Sequence, residues 1–299
     1  MSIPFVTEFD FAYGRADTLS PLIRRVICNN PSPFTFTGTG TYIIGTGAVA
    51  VIDPGPIDEA HLDAILAALG PDEHVSHIII THTHGDHSPA SAPLKAKTGA
   101  AIYGMSPPKH DAFDGPQMEE DADDTFVPDH EVAHGDIIRG GNWTLEAVHT
   151  PGHMAAHVCY ALKEEKALFT GDHVMGWATS VIIPPDGSMR DYMNSLDLLL
   201  ARDDEIYWPT HGTSINKPHA FVRAYIAHRK GREAQVIERL EAGDTQIKVM
   251  VETVYAAVDK RLHPAAALSM LAHVQDLVAR GVVSCEGDPT LDTHYRLSD

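Results

Sequence analysis

From residue 34 onward, short apolar runs alternate with turn residues, and the segments 42–44, 48–52, 77–80 and 101–103 each read as strands. Between them, residues 57–69 set Leu62, Ile65, Leu66 and Leu69 at helical spacing and stop at Gly70, the residue type that commonly follows a helix end. Strand-like segments continue through 137–148, and 158–162 with 167–169 predicts a hairpin around the charged turn 163–166. The pattern changes near Pro218. An apolar stripe of Phe221, Val222, Tyr225, Ile226, Val236, Ile237 and Leu240 predicts a long helix, interrupted or weakened at Gly231. Helices over 245–258 and 264–280 follow, then a closing hairpin of 282–285 with 294–297. The pattern therefore predicts an α/β unit over residues 1–220 and a small helical domain over 221–299.

Four of the apolar runs end in polar side chains able to bind metal: 51–52 before Asp53, 78–80 before His82, the run ending at Phe169 before Asp172, and 206–208 before His211. Loops held at the ends of sheet strands are where sites commonly form. The densest of these is Thr81-His-Thr-His-Gly-Asp-His87, which offers His82, His84, Asp86 and His87 from one short loop. An extended start would put His82 and His84 on one side, and Gly85 permits a turn that brings Asp86 and His87 to a neighbouring point. A polar surface turn explains one histidine but not this density, nor the later Thr150-Pro-Gly-His153, Thr170-Gly-Asp172 and Pro209-Thr-His211-Gly212. Asp53 stands before Pro54-Gly55, a dipeptide that supports a turn there by itself. His173 follows Asp172 directly and is a candidate substrate contact, whereas His157 reads as a structural hydrogen-bonding residue.

Composition narrows the partners. The 299-residue chain carries 41 acidic against 22 basic residues, a formal charge of −19, which makes nucleic acid a disfavoured partner. Part of that charge lies in the acidic run 118–125, read as solvated loop. With only Cys28, Cys159 and Cys285, widely spaced, neither a disulfide framework nor a thiolate zinc site is suggested, and a reduced cytoplasmic setting fits. The first 25 residues lack an uninterrupted apolar stretch, which argues against a secretory leader, and no run is long enough to span a membrane.

The motif order resembles the metallo-beta-lactamase superfamily over about residues 35–215, with its HxHxDH signature at His82, His84, Asp86 and His87 and later markers at His153, Asp172 and His211. The resemblance implies an αββα sandwich, with His82, His84 and His153 on one divalent ion, Asp86, His87 and His211 on a second, Asp172 bridging the two, and Asp53 as the acidic residue behind the site, accepting the spare N–H of a ligand histidine. A bound water or hydroxide shared by the ions would be the nucleophile, with Asp86 and Asp172 catalytic. Zinc is the first choice for imidazole and carboxylate ligands without thiolate, and manganese or iron suit the same set. Residues 184–192 and 195–200, with the helical tail, look like the lactamase-beta-like protein 2 group, whose tail resembles a winged helix overhanging the metals. That group includes hydrolases of unassigned substrate and an endoribonuclease type.

The apolar segment 174–183 after Asp172 suits either a pocket for an acyl or aromatic group or a packed strand over the core. Together with the acidic balance it favours a small ester, thioester or amide substrate. The alternative is an endoribonuclease or phosphodiesterase using Arg223, Arg229, Lys230 and Arg232, although Glu233, Glu238 and Glu241 follow that set and a solvated helix face is its simpler explanation. A reading of another class is a nucleic-acid- or partner-binding module with a structural metal core. The acidic tail weighs against DNA, and its apolar stripe fits packing on a second copy in a homo-oligomer as well as on its own core.

Overall fold

The computed structural model describes residues 3–108, 122–123 and 125–298, so the acidic run 118–125 lies largely outside the described residues. A seven-stranded sheet comprises β1 (Ala16–Thr18), β2 (Ile23–Ile27), β3 (Gly40–Ile44), β4 (Ala48–Ile52), β5 (His74–Ile79), β6 (Ala101–Gly104) and β7 (His130–Glu131), in sequence order. Its first pairs are antiparallel, and β4 through β7 run parallel. Helix α1 (Glu59–Ala67) crosses from β4 to β5 and α2 (Ser91–Thr98) from β5 to β6. Asp58 caps α1 by accepting from the His61 amide at 3.1 Å.

The second sheet holds β8 (Ile137–Arg139), β9 (Thr144–His149), β10 (Val158–Leu162), β11 (Ala167–Gly171) and β12 (Ile206–Pro209), ordered β12-β11-β10-β9-β8. Between β11 and β12 lies α3 (Met189–Leu200), capped by Ser188, whose hydroxyl accepts from the Asp191 amide.

Side-chain alternation sorts the core into layers. Tyr42, Ile44, Ala50, Ile52 and Ile79 face Leu145, Tyr160, Leu162, Phe169 and Trp208 between the sheets. Ile43, Val49, Val51 and Ile78 point the other way onto Leu62 and Ile65 of α1 and Leu94 of α2. On the far side Val148, Cys159, Ala161 and Leu168 meet Tyr192, Leu196 and Leu199 of α3. The order is thus helix, sheet, sheet, helix.

The tail begins with α4 (Pro218–Glu241), followed by α5 (Ile247–Val254), α6 (His263–Ala279) and the hairpin β13 (Val283–Cys285) with β14 (Tyr295–Leu297). The expected break at Gly231 does not occur. That glycine is exposed with nothing near its α-carbon side, and packed residues on either side carry the helix through. Phe221, Val222 and Tyr225 join the layer with α3, whereas Val236 and Leu240 join a separate core with Met250, Met270, Leu277 and Tyr295. One helix therefore belongs to both cores. No described helix is long and apolar enough to cross a membrane.

Candidate metal centre

Each expected ligand stands just past the end of a strand: His82 to His87 after β5, His153 after β9, Asp172 after β11 and His211 after β12. β9, β11 and β12 run the same way, because β10 is antiparallel to both its neighbours and β11 is parallel to β12. Their loops therefore meet at one edge of the sandwich. Cross-sheet hydrogen bonds close that edge: Tyr160 Oη to the Ile80 carbonyl at 3.0 Å, the Val158 amide to the Thr81 carbonyl at 2.8 Å, and Tyr42 Oη to the Pro209 carbonyl at 2.6 Å.

At this edge three groups, His82–His84–His153, His82–His87–Asp172 and Asp86–His87–His211, each bring their ligand atoms within 4.8 Å of one another. His84 Nδ1 lies 3.0 Å from His82 Nε2 and 3.1 Å from His153 Nε2. Asp86 Oδ2 lies 3.0 Å from His211 Nε2 and 3.3 Å from His87 Nε2, with Asp172 Oδ1 3.5 and 3.6 Å from the same two nitrogens. The edge of a tetrahedron around zinc is about 3.4 Å for ligand bonds near 2.1 Å. Both spacings are close to it. Asp86 Oδ1, Asp172 Oδ1, His87 Nε2 and His211 Nε2 are buried with no hydrogen-bond partner, a costly arrangement unless a cation meets them. The His/Asp clusters are thus able to bind metal ions.

The opposite ring nitrogens are anchored. His82 Nδ1 meets Thr81 Oγ1 at 3.0 Å, His87 Nδ1 meets Asp53 Oδ2 at 2.9 Å, His153 Nδ1 meets the Val181 carbonyl at 2.6 Å, and His211 Nδ1 meets the Gly38 carbonyl at 3.2 Å. Such anchoring fixes the ring so that Nε2 presents its lone pair inward. Fully buried, Asp53 also accepts from the Thr81 amide, Thr81 Oγ1 and Thr210 Oγ1, at 2.8, 2.7 and 3.0 Å. It does so from a left-handed backbone, φ 48°, which few non-glycine residues adopt.

Electrostatics divides the cluster. Burial, with repulsion among the rings, pushes His82 well below its ordinary value and His84 down to about 3, and burial lowers His153 too. These three are neutral lone-pair donors. Burial also disfavours charge on His87 and His211, but Asp172 and Asp86 outweigh it, raising His87 strongly and His211 to about 9. The reciprocal attraction overcomes burial at the carboxylates and holds Asp86 well below the usual range and Asp172 at about 2. Two carboxylates there attract positive charge, as a metal cation would supply.

His173 stands elsewhere. Its ring is fully buried against Tyr192, with centroids 4.7 Å apart, and does not line the cavity beside the cluster. His157 bonds Thr150 Oγ1 at 2.9 Å and accepts from the Asp172 amide at 3.3 Å, as expected of a structural residue. Unforeseen in the sequence were Thr81, Thr210 and the carbonyls of Gly38 and Val181. Thr81 had a signal in its place directly before His82, but the backbone acceptors had none.

A small neck of about 40 Å³ opens onto His84, His153 and Asp172 between Phe34, Met175, Val181 and Ile183. Phe34, Met175 and Val181 also line a larger chamber of about 370 Å³, walled by Trp177 and Phe5 and, from the tail, by Tyr255, Leu262 and Ala265. The segment 174–183 thus both packs, through Val174 and Ile182, and lines the cavity.

Residues 35–211 match the metallo-beta-lactamase superfamily, and residues 247–292 match the beta-lactamase associated winged helix domain. The chain is 35% identical over 232 residues to a beta-lactamase-like protein 2 homolog of Caenorhabditis elegans, covering 75% of this chain and 73% of that protein. It is 31% identical over 239 residues to an atrochrysone carboxyl ACP thioesterase of Cryptosporiopsis sp., covering 78% of this chain and 67% of that one. Among solved structures, a beta-lactamase domain protein from Burkholderia ambifaria superposes with a TM-score of 0.80 at 17% identity, over 97% of this chain and 96% of its own.

Proposed function

The chain belongs to the metallo-beta-lactamase superfamily of hydrolases, and from that premise we propose that it is a two-metal enzyme that hydrolyses acyl thioesters or esters. His82, His84 and His153 would hold one ion, Asp86, His87 and His211 a second, and Asp172 lies within reach of both groups. Zinc suits this thiolate-free set of imidazoles and carboxylates. The chemistry such ions would supply is polarisation of the acyl carbonyl and a lowered pKa for bound water. Asp86, set beside the cluster, orients the attacking water, whose proton passes to the departing thiolate. Water adds to the acyl carbon, the carbon–sulfur bond breaks, and the thiolate leaves to be protonated. The buried neck keeps bulk water from the reacting carbon, and the chamber takes up the acyl group.

The observation that carries this reading is the apolar chamber sharing Phe34, Met175 and Val181 with the neck over the cluster. A cavity of about 370 Å³ is of ordinary small-ligand size. The basic set considered for a nuclease is also dispersed: Arg223 and Lys230 face solvent, Arg229 is buried and Arg232 half-buried. A thioesterase among the relatives is in keeping with the same substrate class. The test is metal content of the purified protein, then turnover of thioesters, esters, lactams, a phosphodiester and single-stranded RNA, with Asp172→Ala alongside. The reading expects about two equivalents of metal and thioester or ester turnover that Asp172→Ala lowers by at least about 100-fold. Cleavage confined to RNA or the phosphodiester overturns the substrate class, and protein that holds no metal after metal-supplemented expression overturns the centre.

A further inference from the structure

On α4, His228, Arg229 and Arg232 all face the chamber beside the metal cluster. Arg229 is only 4% exposed, yet among the described residues neither it nor Arg232 has a carboxylate within ion-pair reach. One Arg229 nitrogen donates to the Ser180 carbonyl, and its guanidinium lies 5.0 Å over the Tyr192 ring. Arg232 Nη1 donates to the Val254 carbonyl at 2.8 Å and to Gln235 Oε1 at 2.9 Å, its guanidinium 4.4 Å over the Tyr255 ring. Arg229 Nε, Arg232 Nε and His228 Nδ1 are buried without partners. In a chain of net charge −19, two guanidiniums in an otherwise apolar chamber, turned toward no carboxylate, are a costly arrangement that an anion relieves. Their field is felt nearby: burial, reinforced by these two arginines, pushes His228 down to about 4 and the buried His273 to about 3.

We propose that His228, Arg229 and Arg232 form an anion subsite, so that the preferred substrate carries a carboxylate or phosphate beside its scissile acyl group. The inference rests on the acyl-hydrolase reading and adds what that reading leaves open, the charge of the substrate. A planar guanidinium fork matches both oxyanions, and an apolar surround strengthens the contact. The carboxylate would come from the far end of the acyl chain, and the phosphate from a phosphopantetheine-like carrier.

Two matched substrate pairs separate these sources: adipoyl against hexanoyl thioesters of N-acetylcysteamine, and hexanoyl-phosphopantetheine against hexanoyl-pantetheine. Arg232 is the residue to vary, because Arg229 also holds the Ser180 loop, whose hydroxyl donates to the Asp172 carbonyl. The subsite requires kcat/KM to favour the anionic member of at least one pair by about tenfold or more. That preference shrinks to within about twofold in Arg232→Gln and is regained only in part in Arg232→Lys, which restores the charge but not the planar fork. The responding pair identifies the source. Calorimetric titration with adipate and with adipamide reads the subsite without turnover, and the wild type is expected to bind adipate about tenfold tighter than Arg232→Gln does. Equal treatment of both members of each pair, or a preference untouched by Arg232→Gln, overturns the subsite while leaving the hydrolase intact. If neither thioester nor ester is turned over, the hydrolase reading fails instead, and equal adipate binding by both proteins then overturns the subsite as well.

Discussion

Asp53 shows most directly how single residues set up the centre. Its carboxylate accepts from His87 Nδ1 and from two threonine hydroxyls on separate sheets, Thr81 and Thr210. Exchange for asparagine keeps the shape but removes the charge and places an amide NH₂ where an acceptor is needed. Asp53→Asn is therefore expected to weaken metal binding about 10- to 100-fold, read by competition with a chelator of known affinity. Unchanged affinity would mean that His87 needs no orientation. Asp53 was visible in the sequence because a carboxylate after an apolar run is unusual. The Val181 and Gly38 carbonyls that orient His153 and His211 were not, since every residue carries a carbonyl and only the fold selects which one is used. Arg229 was misread for a related reason: on a helix a charged residue defaults to the solvated face, and nothing in its neighbourhood announces that a tail will close over it.

At the scale of elements, the loop carrying His153 depends on close approach to α3. Gly152 has φ 140°, and a β-carbon there would sit 2.3 Å from the Tyr192 Cα and 2.5 Å from its amide nitrogen. Backbone cannot yield as a side-chain tip does. Gly152→Ala is expected to cost about 2–4 kcal/mol in denaturant unfolding and to lower metal content, because the same displacement moves His153. A second case concerns β2, missed in the sequence because Arg24 and Arg25 interrupt its apolar run. Arg25 is buried with Nη1 donating to the Gly212 carbonyl at 2.8 Å, and Arg24 forks onto Glu73 at 2.7 and 3.0 Å. Burial would raise the Glu73 carboxyl, but the bonds from Arg24 and the Gly70 amide prevail and hold it below its ordinary 4.5. A depressed value in the folded state means stability that is complete above about pH 4.5 and is lost as pH falls through the folded value. Glu73→Gln should thus destabilise by about 1–2 kcal/mol at neutral pH, and by progressively less as pH falls below about 4.5, in paired urea titrations. A difference that stays constant with pH would assign the effect to packing.

For the whole molecule, the question is why a hydrolase core of this kind carries a helical tail. The core supplies one wall of the chamber, from Phe5 and Phe34 to the segment 175–181, and α4 with the tail residues Tyr255, Leu262 and Ala265 supplies the other. The tail thus completes a cavity that the sandwich leaves open, and α4 secures it by packing Phe221 and Tyr225 in one core and Val236 and Leu240 in the other. Only part of this was legible beforehand: the stripe on α4 was plain, but a stripe records that a face is buried and not against what. If the tail walls the acyl pocket, filling it from that side should act on substrate length and not on chemistry. Ala265 is 7% exposed, lines the chamber and stands outside the tail's own core, so a ring there extends into the cavity. Ala265→Phe is expected to lower kcat/KM for long or aromatic acyl thioesters about tenfold relative to acetyl thioesters, through KM, with metal content unchanged. A uniform loss across chain lengths would instead mean that the tail supports the metal edge, and an unchanged length profile would place the acyl group outside the chamber altogether.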